Sequence, residues 1–239
     1  VNDQPIRDIV FVDTETNGLD DRMHDAWDVA AWNLTTGHRI QFFADIPDMS
    51  TFLARSDPKA LRVNRFLDRY PLDGPCPTYR ETTSQIEAFR EVLSGGRVGT
   101  RAEMDALPLP VLVGSKPSFD EGFLRRLFVR HKFSDPAHAK TAEWHHHPID
   151  LGAYAAGVIG VEPGTTSLSA RAVATYCGIP VGDHSADGDV TSGGRAFLLL
   201  REAARRGAQG GSARMYLDAH GLVGDEVEAE LLRPLAVAT

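Results

Sequence analysis

The chain has 239 residues, 42% of them hydrophobic and 24% charged, a balance that argues against a largely disordered, collagen-like or coiled-coil protein and leaves length for a sizeable core. Its 33 acidic against 25 basic residues give a net charge of −8, which argues against a basic coat for nucleic acid. No apolar run approaches the ~18 to 20 residues of a membrane span, no signal-peptide pattern opens the sequence, and Cys76 and Cys177 are too few for a disulfide framework, so no membrane association and a cytoplasmic location are expected.

Ile9-Val10-Phe11-Val12 is a continuous apolar run that stops at Asp13 and the polar Thr14-Glu15-Thr16-Asn17-Gly18, the pattern of a central strand buried on both faces. Segments 26–34 and 39–43, separated by Thr36-Gly37-His38, predict a hairpin beside it and hence a mixed sheet. Residues 44–82, with prolines at 47, 58, 71, 75 and 77, read as an irregular insertion with one short helix near 61–70. Ser84 and Glu87 have capping-box spacing and predict a helix with Ile86, Phe89, Val92 and Leu93 on one side, ending at Gly95-Gly96. Val111-Leu112-Val113 is a second apolar strand, after which Ser118 and Glu121 suggest another capping box opening a helix.

A third strand-to-helix step runs through Pro148-Ile149-Asp150 into residues 151–158, with Asp150 as a helix cap. Helices are predicted near 168–176 and over 187–206, followed by the linker Gln209-Gly210-Gly211-Ser212 and an acidic tail. Strands interleaved with helices place the fold in the α/β class. Residues 1–207 form one domain, with 44–82 inserted in it, and 208–239 are linker and tail.

The chemistry concentrates in carboxylates. Asp13 and Glu15, two apart on an extended strand, share one face, and such a pair repels unless a cation lies between them. Hard divalent ions such as Mg²⁺ and Mn²⁺ prefer these oxygen ligands. Asp120, read alone, is a first-turn aspartate complementing a helix dipole. In His184-Ser185-Ala186-Asp187-Gly188-Asp189, read alone, the histidine and the aspartate five residues on are loop and cap residues.

Taken in chain order, Asp13-Thr14-Glu15-Thr16-Asn17-Gly18-Leu19, Phe119-Asp120 and His184 with Asp189 resemble the DEDDh family of 3′-to-5′ exonucleases, over about residues 8–203. The family usually has Asn four residues before the second aspartate; here that position is Lys116. The resemblance implies an RNase H-like fold, a mixed five-stranded sheet flanked by helices. It also implies two Mg²⁺ or Mn²⁺ ions about 3.5 to 4 Å apart, one held by Asp13, Glu15 and Asp189, the other bridged by Asp13 and approached by Asp120. His184 would be the general base, a role suited to an imidazole titrating at about 6.5 when unperturbed. Backbone near Thr16 and the side chains of Leu19 and Phe119 would border the terminal nucleotide. The expected reaction releases nucleoside 5′-monophosphates from 3′ ends, with single-stranded DNA as substrate. An RNA-trimming exoribonuclease and a noncatalytic nucleic-acid-binding module on the same fold stay open, as do a polymerase partner and self-association.

His145-His146-His147 alternate faces on an extended segment, poor geometry for a tetrahedral metal site. Trp27, Trp32 and Trp144 are expected in the core. Two basic stretches, Arg55, Lys59, Arg62, Arg65 and Arg69, then Arg125, Arg126, Arg130, Lys132 and Lys140, are read as solvated helix faces, one of them lining the path of a strand.

Overall fold

A computed structural model describes residues 7–97, 107–133, 143–160 and 168–207. The apolar run forms the middle of β1 (Ile9–Thr16), and β2 (Ala26–Asn33) and β3 (Arg39–Phe43) are the expected hairpin. Its turn is tight: Gly37 takes a φ of 84° and donates its amide to Asn33 O at 2.8 Å. With β4 (Val111–Gly114) and β5 (Ile149–Asp150) the strands form one sheet in the order β3-β2-β1-β4-β5. Strand β1 lies at its centre, antiparallel to β2 and parallel to β4. This is the mixed five-stranded α/β sheet flanked by helices expected of an RNase H-like fold.

Successive β1 side chains point to opposite layers. Val10 and Val12 join a core closed by α4 (Tyr79–Leu93) and α5 (Pro117–Arg130), through Ile86, Phe89, Phe123 and Phe128. Phe11 faces a second core, built with α6 (Leu151–Ile159), α7 (Ala170–Tyr176) and α8 (Ala186–Gly207), through Leu151, Val173, Val190 and Phe197. Two glycines bring α8 close to the sheet. A Cβ on Gly193 would lie 2.3 Å from the Phe11 ring, and one on Gly194 2.5 Å from Trp32.

Residues 44–82 depart from the irregular segment expected. They carry three short helices, α1 (Met49–Arg55), α2 (Pro58–Val63) and α3 (Phe66–Arg69), before α4 begins. Asp48 and Asp57 cap the first two, so Pro58 and the polar residues beside it, which suggested a loop, mark helix starts. Trp27, Phe52, Phe66 and Tyr70 form a small aromatic core beneath them. All three tryptophans are buried, as expected.

Two helix starts also differ. Helix α4 opens at Thr78, whose hydroxyl accepts from the Glu81 amide at 3.2 Å while Glu81 accepts from the Thr78 amide at 2.8 Å. The same four-residue pattern recurs at Ser84, but Tyr79 favours the earlier start by stacking on His131, with ring centroids 4.3 Å apart. Helix α5 starts at Pro117 without a side-chain cap; Glu121 is engaged by Arg125 and by Trp144 Nε1 rather than by Ser118. Asp150 does cap α6, accepting from the Ala153 amide at 2.7 Å. No helix among the described residues is long and apolar enough to cross a membrane. The predicted linker and tail, 208–239, lie outside the described residues.

Candidate active site

The site forms where the sheet comes apart. Strand β4 ends at Gly114, opposite the middle of β1, so the β1 residues beyond it lose their neighbour on that side. The Thr14 amide, which lacks a strand carbonyl there, donates instead to Asp120 Oδ1 at 2.9 Å, and the Thr14 hydroxyl donates to the same oxygen at 2.8 Å. Asp120 thereby joins β1 from the α5 layer. Asp13 and Glu15 share the opposite face with Phe11, the face that α8 covers. Asp189, in the first turn of α8, meets them there. Oxygens of Asp13, Glu15 and Asp189 lie within 4.8 Å of one another, and no other set of three His, Cys, Asp or Glu side chains among the described residues does this. His145, His146 and His147 instead pack ring against ring, 4.0 to 5.4 Å between centroids.

Burial makes these carboxylates unusually basic. Asp13 is held well above the usual range, first by desolvation and then by the charges of Asp120, Glu15 and Asp189. Glu15 is pushed up to about 8 by burial, against a hydrogen bond from Asn64 that lowers it. Asp120 rises to about 7, again by burial, offset by its bonds from Thr14. Burial raises Asp189 too, while the nearby charge of His184 lowers it. Several carboxylates in one small volume, with their negative forms disfavoured, are what a divalent cation compensates. The donor set therefore fits hard divalent ions.

His184 stands at the mouth, its Nδ1 4.0 Å from Asp189 Oδ2 and its side chain 48% exposed. Its φ of 61° places it in the left-handed region. Gly182, just before it, leaves room for Asp189: a Cβ there would fall 1.8 Å from Asp189 Oδ1. A cleft of about 290 Å³ is lined by Asp13, Asp120, Phe119, His184 and Asp189 and by Arg171 of α7. Arg171 went unnoticed in the sequence, lying in a helix with no motif of its own. No side-chain hydrogen bond or ion pair among the described residues engages it, and its charge lowers Asp189.

The other predicted contacts scatter. Phe119 lines the cleft, packed on Phe123 with centroids 4.9 Å apart. Thr16 is buried, its hydroxyl bonded to Gly18 O at 2.7 Å and its carbonyl accepting from Asn64 Nδ2 at 2.9 Å. Leu19 is 77% exposed on the β1–β2 loop. Lys116 is exposed in the left-handed region, φ 61°, with its amide on Asp150 Oδ2 at 3.0 Å. Asparagine tolerates that conformation well; here the Asp150 carboxylate helps to hold a lysine in it.

The basic stretches are not two free faces. Arg125, Arg126 and Arg130 pair with Glu121, Asp25 and Asp45. Arg69 pairs with the buried Asp28. Arg55, Lys59 and Arg62 stay exposed, without an ion pair among the described residues. Lys140 lies outside the described residues.

No protein-family model matches the chain, and no curated protein matches it in sequence. Solved structures match in fold. Exonuclease I of E. coli in complex with a dT13 oligonucleotide aligns with a TM-score of 0.53 at 16% identity, over 84% of this chain and 41% of that one. The zinc-bound form of the same enzyme with single-stranded DNA aligns at 0.53 and 17%, over 90% and 43%. A product-bound exonuclease I structure gives 0.54 and 17%, over 89% and 45%. The chain thus spans less than half the length of these proteins. Across that span its mixed sheet and flanking helices have the fold of exonuclease I.

Proposed function

We propose that this chain is a metal-dependent 3′-to-5′ exonuclease, acting on single-stranded DNA and releasing nucleoside 5′-monophosphates. The observation that carries the reading is the convergence of Asp13, Glu15 and Asp189 within 4.8 Å, from a strand and a helix far apart in sequence. Asp120 is tied to the same strand, and His184 stands beside the cluster. The complexes of exonuclease I with single-stranded oligonucleotides support the choice of substrate.

The four carboxylates would hold two divalent ions, Mg²⁺ or Mn²⁺, which polarise the phosphate and ease deprotonation of water. The protein's own groups do the rest. Phe119 offers a flat apolar wall to the terminal nucleoside. Arg171 meets a phosphate with a planar cation, which offsets the repulsion an acidic cluster would exert on it. His184 takes a proton from the attacking water. The water oxygen bonds to phosphorus, the bond from phosphorus to the 3′ oxygen breaks, that oxygen takes a proton from solvent as the shortened strand leaves, and His184 returns its own proton to solvent.

The test is incubation of the chain and Mn²⁺ or Mg²⁺ with 5′-labelled single-stranded DNA, duplex DNA and RNA of one sequence. Stepwise shortening of the single-stranded DNA, abolished by EDTA and restored by added metal, is expected. Shortening of RNA alone would replace the substrate assignment, and intact products throughout would overturn the reading.

A further inference from the structure

The segment between β3 and α4 reaches the site through two side chains, Asn64, which hydrogen-bonds Glu15, and Arg69, which reaches the His184 backbone. Arg69, the last residue of α3, pairs with the fully buried carboxylate of Asp28 on β2, and its guanidinium lies 5.1 Å from the ring centre of Trp27. Its Nη1 donates to the backbone carbonyl of His184 at 2.8 Å and to that of Asn64 at 3.1 Å. Asp28 in turn accepts from the Ala186 amide at 3.1 Å and from Gln41 Nε2 at 2.6 Å. The peptide groups on either side of Ser185 are thus tied to one ion pair, the first through its carbonyl and the second through its amide.

His184 needs such a tie. Its backbone lies in the left-handed region, which side-chain-bearing residues seldom adopt, and its ring is about half exposed, with Nδ1 4.0 Å from Asp189 Oδ2. We propose that Arg69 and Asp28 form a clamp that positions His184 over the carboxylate cluster, which makes the helical insertion part of the catalytic apparatus. This rests on the exonuclease reading for the meaning of His184, while the clamp itself is a property of the backbone. An arginine is required. Only a planar fork places one nitrogen on the carboxylate and another on the His184 carbonyl, and a lysine ammonium has no equivalent reach. Asp28 also stands opposite Glu15 in the β1–β2 register, so the guanidinium neutralises a charge that would otherwise add to the carboxylate cluster.

The test compares wild type with Arg69→Lys and with the doubly neutral Arg69→Met/Asp28→Asn, which leaves no buried charge unpaired. Three quantities are read: amide exchange at Ala186, whose amide bonds to Asp28, Mn²⁺ affinity by calorimetry, and kcat and KM on labelled single-stranded DNA. In both variants exchange is expected to quicken at least about tenfold and kcat to fall about 10- to 100-fold, with KM and Mn²⁺ affinity within about threefold of wild type. Adding His184→Ala to Arg69→Lys should then cost no more than His184→Ala alone, because both changes remove one function. Unchanged exchange in either variant, or losses that multiply with His184→Ala, would overturn the clamp. A wild-type chain that leaves DNA intact would instead overturn the exonuclease reading, and amide exchange would still decide whether the clamp exists.

Discussion

Thr14 gives both of its hydrogen-bond donors to a single oxygen of Asp120, the amide at 2.9 Å and the hydroxyl at 2.8 Å. The bond crosses from β1 to α5 and aims a buried carboxylate at a strand that carries two more. Thr14→Val preserves the shape and removes one donor. It should cost about 1 kcal/mol of stability, the usual net worth of such a bond, and lower kcat more than KM. Urea unfolding and steady-state kinetics check the two together.

Asp13 is held well above the usual carboxylate range by burial and by its acidic neighbours. Asp13→Asn removes that repulsion and one ligand. The variant should melt higher than wild type in EDTA yet gain no further stability from Mn²⁺, and its activity should fall at least about a hundredfold. Thermal unfolding with and without metal reads both signs, and a lower melting point in EDTA would contradict the electrostatic account.

The pH dependence follows from the same residues. Glu15 and Asp120, raised from 4.5 and 3.8 to about 8 and about 7, bind protons more tightly when folded. Their contribution to stability is full below about pH 4 and is lost as pH climbs through 7 to 8. Metal-free protein should therefore melt progressively lower between pH 5 and pH 8.5, values spanning about the raised range. Saturating Mn²⁺ should stabilise most at the alkaline end. Melting curves in EDTA and in Mn²⁺ across that range provide the measurement.

Gly182 faces Asp189 with no room for a methyl group. Gly182→Ala should push the carboxylate out of the cluster, weakening Mn²⁺ binding about tenfold or more while leaving the melting point of the metal-free protein within a few degrees. Calorimetric titration decides it.

Arg171 lines the cleft, its charge acting on Asp189 without a side-chain hydrogen bond or ion pair among the described residues. Arg171→Ala should raise KM about tenfold and weaken inhibition by a nucleoside 5′-monophosphate, with no effect on that by the nucleoside. Equal inhibition constants for wild type and variant would remove the phosphate contact.

What the sequence made legible was local. A fully apolar run ending in Asp13-Thr14-Glu15 names a central strand and its exposed end, because burial on both faces and a sudden polar stop leave few alternatives. The hairpin and the α8 pattern are equally local. Thr78-x-x-Glu81 and Ser84-x-x-Glu87 are the same signal, and only the stacking of Tyr79 on His131, from another helix, selects the first. Pro58 is ambiguous for a similar reason, since a residue that breaks a helix also begins one. The Arg69–Asp28 pair could not be read at all. The two residues lie 41 apart, and neither belongs to a motif; what joins them is the packing of α3 over Trp27.

The glycine seat of α8 has one further consequence. Because Gly193 and Gly194 rest against Phe11 and Trp32, the height of the helix above the sheet is set by bare backbone, and with it the span from Asp189 to the strand carboxylates. In the proposed two-ion site that height would set the ionic radius accepted. A methyl group at either position would act as a shim, lifting Asp189 one turn away and favouring larger, more loosely coordinated ions such as Ca²⁺ over Mg²⁺.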